Sequence, residues 1–276
     1  MTSTEPSRDL IAFIGGGNMA NAIIGGLIRQ GVEPEQIRVV EPFEATRTAL
    51  IAQHGVQVQA SAGDFIAGAA LIVWAVKPQV FMEAAGPVRD IAGNALHLSI
   101  MAGIRSDSIA AACGSRRIVR CMPNTPALIG RGMTALFAPA ELSDSDRVKA
   151  EQVIRTTGDA LWVKNEKQLD AVTALSGSGP AYVFYFLEAM QQAGEKMGLS
   201  ASQARQLAVG TFDGASALAA ASPDPLGVLR ERVTSKGGTT YAALTSMEDS
   251  GVKEAFMKAM MAAEKRAVEL GDEFGR

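Results

Sequence analysis

Apolar residues are distributed along this chain in two regimes. Up to about residue 164 they gather into short runs, at Leu10–Ile14, Gln36–Val40, Leu71–Ala75, Ala95–Ile100 and Arg117–Met122. Between the runs lie stretches of helical periodicity of ~10–15 residues, the spacing of right-handed strand–helix–strand crossovers. Near-continuous apolar runs predict strands covered on both faces, hence a mainly parallel sheet between two helical layers. Met133–Ala138 and Ala160–Val163 read as further strands around a helix over Ser143–Thr157. That helix opens on Ser143-Asp144-Ser145-Asp146, which supplies a cap and acids suited to a helix N-terminus.

From Asn165 onward every segment carries the 3.6-residue period and no β-branched run appears. Helices are expected over Glu166–Met197, bent near Gly177-Ser178-Gly179-Pro180, and over Ala201–Ala220, Leu226–Val233, Thr240–Ser250 and Val252–Gly271. Gly198-Leu199-Ser200 and Ala221-Ser222-Pro223-Asp224-Pro225 are the clearest breaks. The pattern predicts an α/β fold: a doubly wound sheet domain over residues 1–164 and an all-α domain over 165–276. Alanine and methionine are plentiful on the later helices. Such small, adaptable side chains suit close packing, so a helical dimerisation surface is expected.

Composition narrows the classes. With 47% hydrophobic and 20% charged residues the chain has the balance of a globular protein rather than a disordered one. A net charge of −3 offers no basic stripe, so nucleic acid is not an expected partner. The longest uncharged apolar run, Ile66–Val76, has about half of the ~20 residues a membrane helix needs. Met1–Asp9 is polar and lacks the apolar core of a secretory signal, so a cytoplasmic location is expected. Cys113 and Cys121 are the only cysteines and form no CxxC, so neither a disulfide framework nor a metal site is expected. His54 and His97 are the only histidines, and both read as structural. Chemistry built on a histidine triad or a histidine-rich metal site is therefore disfavoured.

The strongest motif is Phe13-Ile14-Gly15-Gly16-Gly17-Asn18-Met19-Ala20, a GxGxxA directly after a strand and opening a helix. One glycine permits the tight turn, the next lets the backbone approach a pyrophosphate, and small Ala20 allows close helix–strand packing. Alone, such glycines also mark plain turns; their place in a strand–helix series favours a dinucleotide. Glu41 ends the second strand, where an acid accepts the ribose hydroxyls of NAD. Arg38 and Arg47 lie near enough in sequence to offer a 2′-phosphate a counter-charge, so NADPH and NADH both stay open. Ala75-Val76-Lys77-Pro78, Ile100-Met101-Ala102 and Asn124 follow later strands at the same carboxyl edge, where three loops can converge on a nicotinamide. Asn124 serves equally well as a turn residue. In the helical half, Ser176-Gly177-Ser178-Gly179-Pro180 and Ser235-Lys236-Gly237-Gly238-Thr239-Thr240 set glycines and hydroxyls at helix breaks, a pattern that makes anion-binding backbone nests or simple caps.

The order of FIGGGNMA, AVKP, SIMAG, RCMPNTPAL, TALSGSGPAY and RVTSKGGTT resembles pyrroline-5-carboxylate reductase over nearly the entire chain. The resemblance implies an N-terminal Rossmann domain and a helical domain that interleaves with another subunit, in dimers that assemble further into decamers. It implies reduction of 1-pyrroline-5-carboxylate to L-proline with NADPH or NADH. By that similarity, Ile14, Gly15, Gly16, Gly17, Asn18 and Met19 hold the pyrophosphate, while Ala75, Val76, Lys77, Pro78, Ile100, Met101 and Ala102 line the cofactor. Ser235, Gly238, Thr239 and Thr240 hold the substrate, with Thr240 beside the ring nitrogen. Three positions depart from the family pattern: Lys236 replaces a usual proline, Met101 a usual alanine, and Glu41 stands where NADP-preferring relatives often carry a small hydroxyl residue. Two other readings remain: a 3-hydroxyacid-type dehydrogenase, whose acid/base lysine would be Lys167, Lys196 or Lys236, and a non-catalytic dinucleotide-binding sensor.

Overall fold

A computed structural model describes residues 9–274; the polar segment Met1–Arg8 lies outside them. Among the described residues eight strands form one sheet: β1 (Ile11–Ile14), β2 (Ile37–Val40), β3 (Gln57–Gln59), β4 (Leu71–Trp74), β5 (Leu96–Ser99), β6 (Ile118–Met122), β7 (Gly132–Phe137) and β8 (Gly158–Trp162). Their order is β3-β2-β1-β4-β5-β6-β7-β8. All pairings are parallel except β6 with β7. Strand order reverses at β1, which pairs on one side with β2 and on the other with β4, and such a switch point opens a crevice at the carboxyl ends of the strands.

Successive residues of β1 point to opposite faces, and its sequence serves both. Ile11 and Phe13 enter a core with Ile23, Ile24 and Leu27 of helix α1 (Asn18–Arg29), while Ala12 and Ile14 enter a second core with Trp74. Helix α2 (Glu44–His54) follows β2 and ends on Gly55 in the left-handed conformation, so His54 closes a helix rather than sitting in a turn. Helices α3 (Phe81–Arg89) and α4 (Ser106–Cys113) send Phe81, Ala85, Val88 and Ile109 into the second core. Helix α5 (Asp144–Arg155) packs Ala150, Val153 and Ile154 into the first, and the Ser143 hydroxyl accepts from the Asp146 N–H at its cap as expected.

Beyond β8, helix α6 (Gln168–Val172) runs through a π-helical turn over Thr173–Gly177 into α7 (Gly179–Lys196). The expected bend is therefore a widened turn, with the Ser178 N–H bonded to the Thr173 carbonyl at 2.8 Å. Helices α8 (Ala201–Ala221), α9 (Leu226–Arg232), α10 (Thr239–Asp249) and α11 (Val252–Phe274) follow and complete the described residues. Residues 179–262 form one compact unit, and the described residues up to Ser178 together with those from Ala263 form the other. Within the helical unit, Ser200 and Gln203 form a reciprocal capping box on α8, and Tyr182, Phe186 and Phe256 meet edge to face. Large apolar side chains, among them Phe184, Tyr185, Leu207 and Leu218, are exposed on its helices. Among the described residues no helix is long and apolar enough to cross a membrane.

Candidate active site

The turn from β1 into α1 is built for close approach. Gly15 has φ +98°, and a Cβ there would lie 2.6 Å from the Ala75 carbonyl oxygen. Its N–H donates to the Val40 carbonyl at 2.8 Å, so the glycine turn is stitched to β2, while the Ala75 N–H bonds the Ile14 carbonyl. Gly16 is buried against Leu50, whereas Gly17, the cap of α1, has nothing within 4 Å of where a Cβ would stand. No side chain caps α1 and no acid stands in its first turn. The open face at Gly17 and the uncapped N–H groups behind it fit a dinucleotide pyrophosphate.

The other residues expected at this edge fall into different roles. Ala75, Val76 and Pro78 are half-buried after β4, and Lys77 is exposed. Ile100 and Ala102 are half-buried after β5, but Met101 is buried in the second core, leaving only its backbone near the edge. The Met101 N–H donates to Ser99 Oγ at 3.3 Å. Asn124 is drawn into the frame: Oδ1 accepts from the Met133 N–H at 2.9 Å and Nδ2 donates to the Ser176 carbonyl at 3.2 Å. It ties the end of β6 to the start of β7 and to the π-helical turn, and so helps to position the carboxyl edge. Glu41 is 6% exposed, with Oε2 accepting from the Gly16 N–H and Oε1 from the Phe43 N–H, each at 2.9 Å.

Two charged residues absent from the sequence reading hold the loop after β5. Glu166 Oε1 accepts from the Ser106 N–H and from Arg120 Nη1, each at 2.7 Å, and Oε2 accepts from the Ser106 hydroxyl at 2.8 Å. One carboxylate thus caps α4 and neutralises an arginine buried in the middle of β6. Asp170 lies in the same field, its carboxyl raised above the ordinary value chiefly by burial and opposed by the charges of Arg120 and Arg105. The signal available in the sequence was an arginine inside an apolar strand, which demands a partner.

In the helical unit, Ser235 to Gly238 form a tight turn leading into α10. Gly237 has φ +77°, and the Gly238 N–H donates to the Ser235 carbonyl at 3.0 Å. That bond corrects one expectation: Gly238 closes the turn, so the backbone donors for an anion are those of Thr239, Thr240 and Tyr241 at the helix start, which no side chain caps. Thr240 is half-buried, while Ser235, Lys236 and Thr239 are exposed. Ser176-Gly177-Ser178 does not form the second nest, because the Ser178 N–H continues the helical ladder and the Ser176 hydroxyl bonds the Val172 carbonyl at 3.2 Å.

His97 is fully buried, accepts from Trp74 Nε1 at 3.0 Å, and is held neutral by burial, its pKa pushed down to about 4. His54 bonds Asn21 across α1 and α2, and burial with the nearby Arg29 charge lowers it. Cys113 and Cys121 are buried thiols raised by desolvation, the first to about 12. Lys167, Lys196 and Lys236 are all exposed, without the desolvated setting an acid/base lysine requires.

Comparison with known proteins places these features in a family. The family model for pyrroline-5-carboxylate reductase dimerisation matches residues 166–270, and that for coenzyme F420-dependent NADP oxidoreductase matches residues 10–103. A pyrroline-5-carboxylate reductase of Pseudomonas aeruginosa is 42% identical over 98% of this chain and 100% of its own. The structure of a pyrroline-5-carboxylate reductase from Coxiella burnetii superposes with a TM-score of 0.89 at 36% identity, covering 96% of this chain and 99% of the other. That of Plasmodium falciparum pyrroline carboxylate reductase with NADP bound gives 0.85 at 27% identity, covering 95% and 98%.

Proposed function

The chain belongs to the pyrroline-5-carboxylate reductase family, and on that premise we propose that it reduces 1-pyrroline-5-carboxylate to L-proline, the last step of proline biosynthesis. The observation that carries the reading on this chain is a pair of glycine turns that each lead into a helix start with no side-chain cap. One start, at α1, lies behind a glycine turn at the switch point of a parallel sheet; the other, at α10, lies behind a Ser-Lys-Gly-Gly turn with a threonine in its first helical turn. The first suits a pyrophosphate and the second a carboxylate.

A reduced nicotinamide supplies the hydride. The task left to the protein is orientation and polarisation, because a cyclic imine carries its own basic nitrogen and, once protonated, accepts hydride at the adjacent carbon. Gly15 to Met19 receive the pyrophosphate, and the backbone around Ala75 to Pro78 and Ile100 to Ala102 forms the floor at the carboxyl edge. The N–H groups of Thr239 and Thr240, with the Ser235 hydroxyl, receive the substrate carboxylate. The Thr240 hydroxyl holds the imine nitrogen, and fixed donors of this kind supply acceleration through positioning. The helical unit carries the self-association surface of a cytoplasmic homo-oligomer, in keeping with its exposed apolar side chains.

The test is consumption of reduced nicotinamide with 1-pyrroline-5-carboxylate and detection of proline, for the native chain and for Thr240→Ala. Turnover by the native chain and at least ~10-fold lower kcat/KM in the variant are expected. Cofactor binding without turnover would favour the sensor reading, and an unaffected Thr240→Ala would remove that residue from the mechanism.

A further inference from the structure

We propose that Glu41 makes this chain selective for NADH over NADPH, by fixing a negative charge where the 2′-phosphate of NADPH would have to lie. The proposal rests on the dinucleotide reading of the glycine turn and names which dinucleotide that turn accepts.

The placement of Glu41 follows from the sheet. β2 lies beside β1 in parallel, with Val40 in register with Ile14, so the residue after Val40 emerges at the carboxyl edge beside the glycine turn. Its backbone is held on two sides: the Gly15 N–H bonds the Val40 carbonyl, and the Glu41 N–H bonds the Gln59 carbonyl at 2.9 Å. In a Rossmann crevice this is where the adenosine ribose sits, and where an acid accepts its hydroxyls.

The side chain is as fixed as the backbone. Its two oxygens each take a backbone N–H, from Gly16 and from Phe43, at 2.9 Å. Rotating the carboxylate away from a bulky anion would strand both donors in a site where Glu41 is 6% exposed, so the charge cannot step aside cheaply. A carboxylate offers about four lone-pair positions, and two remain for the vicinal hydroxyls of an unphosphorylated ribose. A phosphate in the same place brings a second anion with no proton to donate.

The two nearby arginines are each tied to the backbone. Arg38 donates Nη1 to the Phe65 carbonyl, and its guanidinium stands over the Phe65 ring, 5.5 Å from the centroid, so it braces the turn before β4. Arg47 donates Nη1 to the carbonyls of Glu41, at 3.0 Å, and Pro42, at 2.6 Å. Both arginines that the sequence places near the ribose are thus held by backbone carbonyls through Nη1, and Arg47 could turn that nitrogen to a phosphate only by releasing the loop that carries Glu41.

The experiment measures the dissociation constants of NADH and NADPH for the purified, substrate-free protein by titration calorimetry, with kcat/KM for each alongside. The native chain is expected to bind NADH at least about 10-fold more tightly than NADPH. Glu41→Gln keeps the shape and one acceptor but removes the charge. It is expected to close at least most of that gap, chiefly through tighter NADPH binding, with circular dichroism showing an unchanged fold. Equal or tighter binding of NADPH by the native chain overturns the proposal without need of any variant. If Arg47→Ala then weakens NADPH alone, Arg47 rather than Glu41 sets the preference. If neither nucleotide binds, the dinucleotide reading falls as well, which separates the two failures.

Discussion

Removing the Glu166 carboxylate should cost the protein far more than an ordinary surface ion pair. Arg120 is 6% exposed, so in Glu166→Ala its guanidinium would remain in the sheet without its carboxylate partner, and its Nε already has no partner among the described residues. Breaking a buried pair from one side costs about 3–5 kcal/mol. The same substitution leaves the Ser106 N–H at the start of α4 without its acceptor, a further loss of about 1 kcal/mol. Two features reduce the sum: Glu166 is itself about a quarter exposed, its side chain at 24%, so water can enter the gap, and Asp170 stands in the field of the same arginine. A net loss of about 3 kcal/mol is expected. Urea unfolding followed by far-ultraviolet circular dichroism, at one protein concentration, would show it as a lower midpoint at unchanged slope. Replacing both partners, Arg120→Leu with Glu166→Leu, should cost only about 1 kcal/mol, because the stranded charge is gone and only the helix cap is missing. A Glu166→Ala loss under about 1 kcal/mol, or a double variant no more stable than the sum of its singles, would refute the clamp.

Stability should also depend on His97. Its folded pKa of about 4 lies below the ordinary 6.5, so the unfolded chain takes up the proton first as pH falls. Stability is therefore lost between pH ~6.5 and ~4, by about 3 kcal/mol at most, and His97→Asn should flatten the stability–pH curve over that window; parallel curves would refute it. Gly158 has φ +143°, and a Cβ there would lie 2.1 Å from the Gly132 carbonyl oxygen, so Gly158→Ala must part β7 from β8. A loss of at least about 3 kcal/mol is expected in the same urea experiment, and a native-like midpoint would show that the strands can shift freely.

The parallel strands were legible because burial on both faces leaves nearly uninterrupted apolar runs, as in Leu71-Ile72-Val73-Trp74. β3 was missed for the complementary reason: Gln57-Val58-Gln59 lies at the sheet margin with both glutamines exposed, so it carries no apolar run. The reversal of β7 left no trace, since alternation of side chains reads the same in either direction. At the site, Glu41 and the glycine turn could be placed from spacing alone. The commitments of Asn124 and of the Gly238 N–H could not, because they depend on bonds that become visible only when the chain closes on itself. Glu166 and Arg120 were hidden by their separation in sequence, one outside the strands and the other within an apolar run.

The two margins of the sheet bear on how the protein behaves when concentrated. One margin is a three-residue strand whose two glutamines are exposed, and the other, β8, begins at a glycine and carries exposed Asp159 beside Arg155. Neither offers a long, flat, apolar template on which another molecule could add a strand. Crowding should therefore not drive ribbon-like polymerisation through the sheet, and any cloudiness in concentrated stocks should respond to detergents or substitutions that mask helical apolar side chains such as Phe184 and Leu207, rather than to changes along the strands.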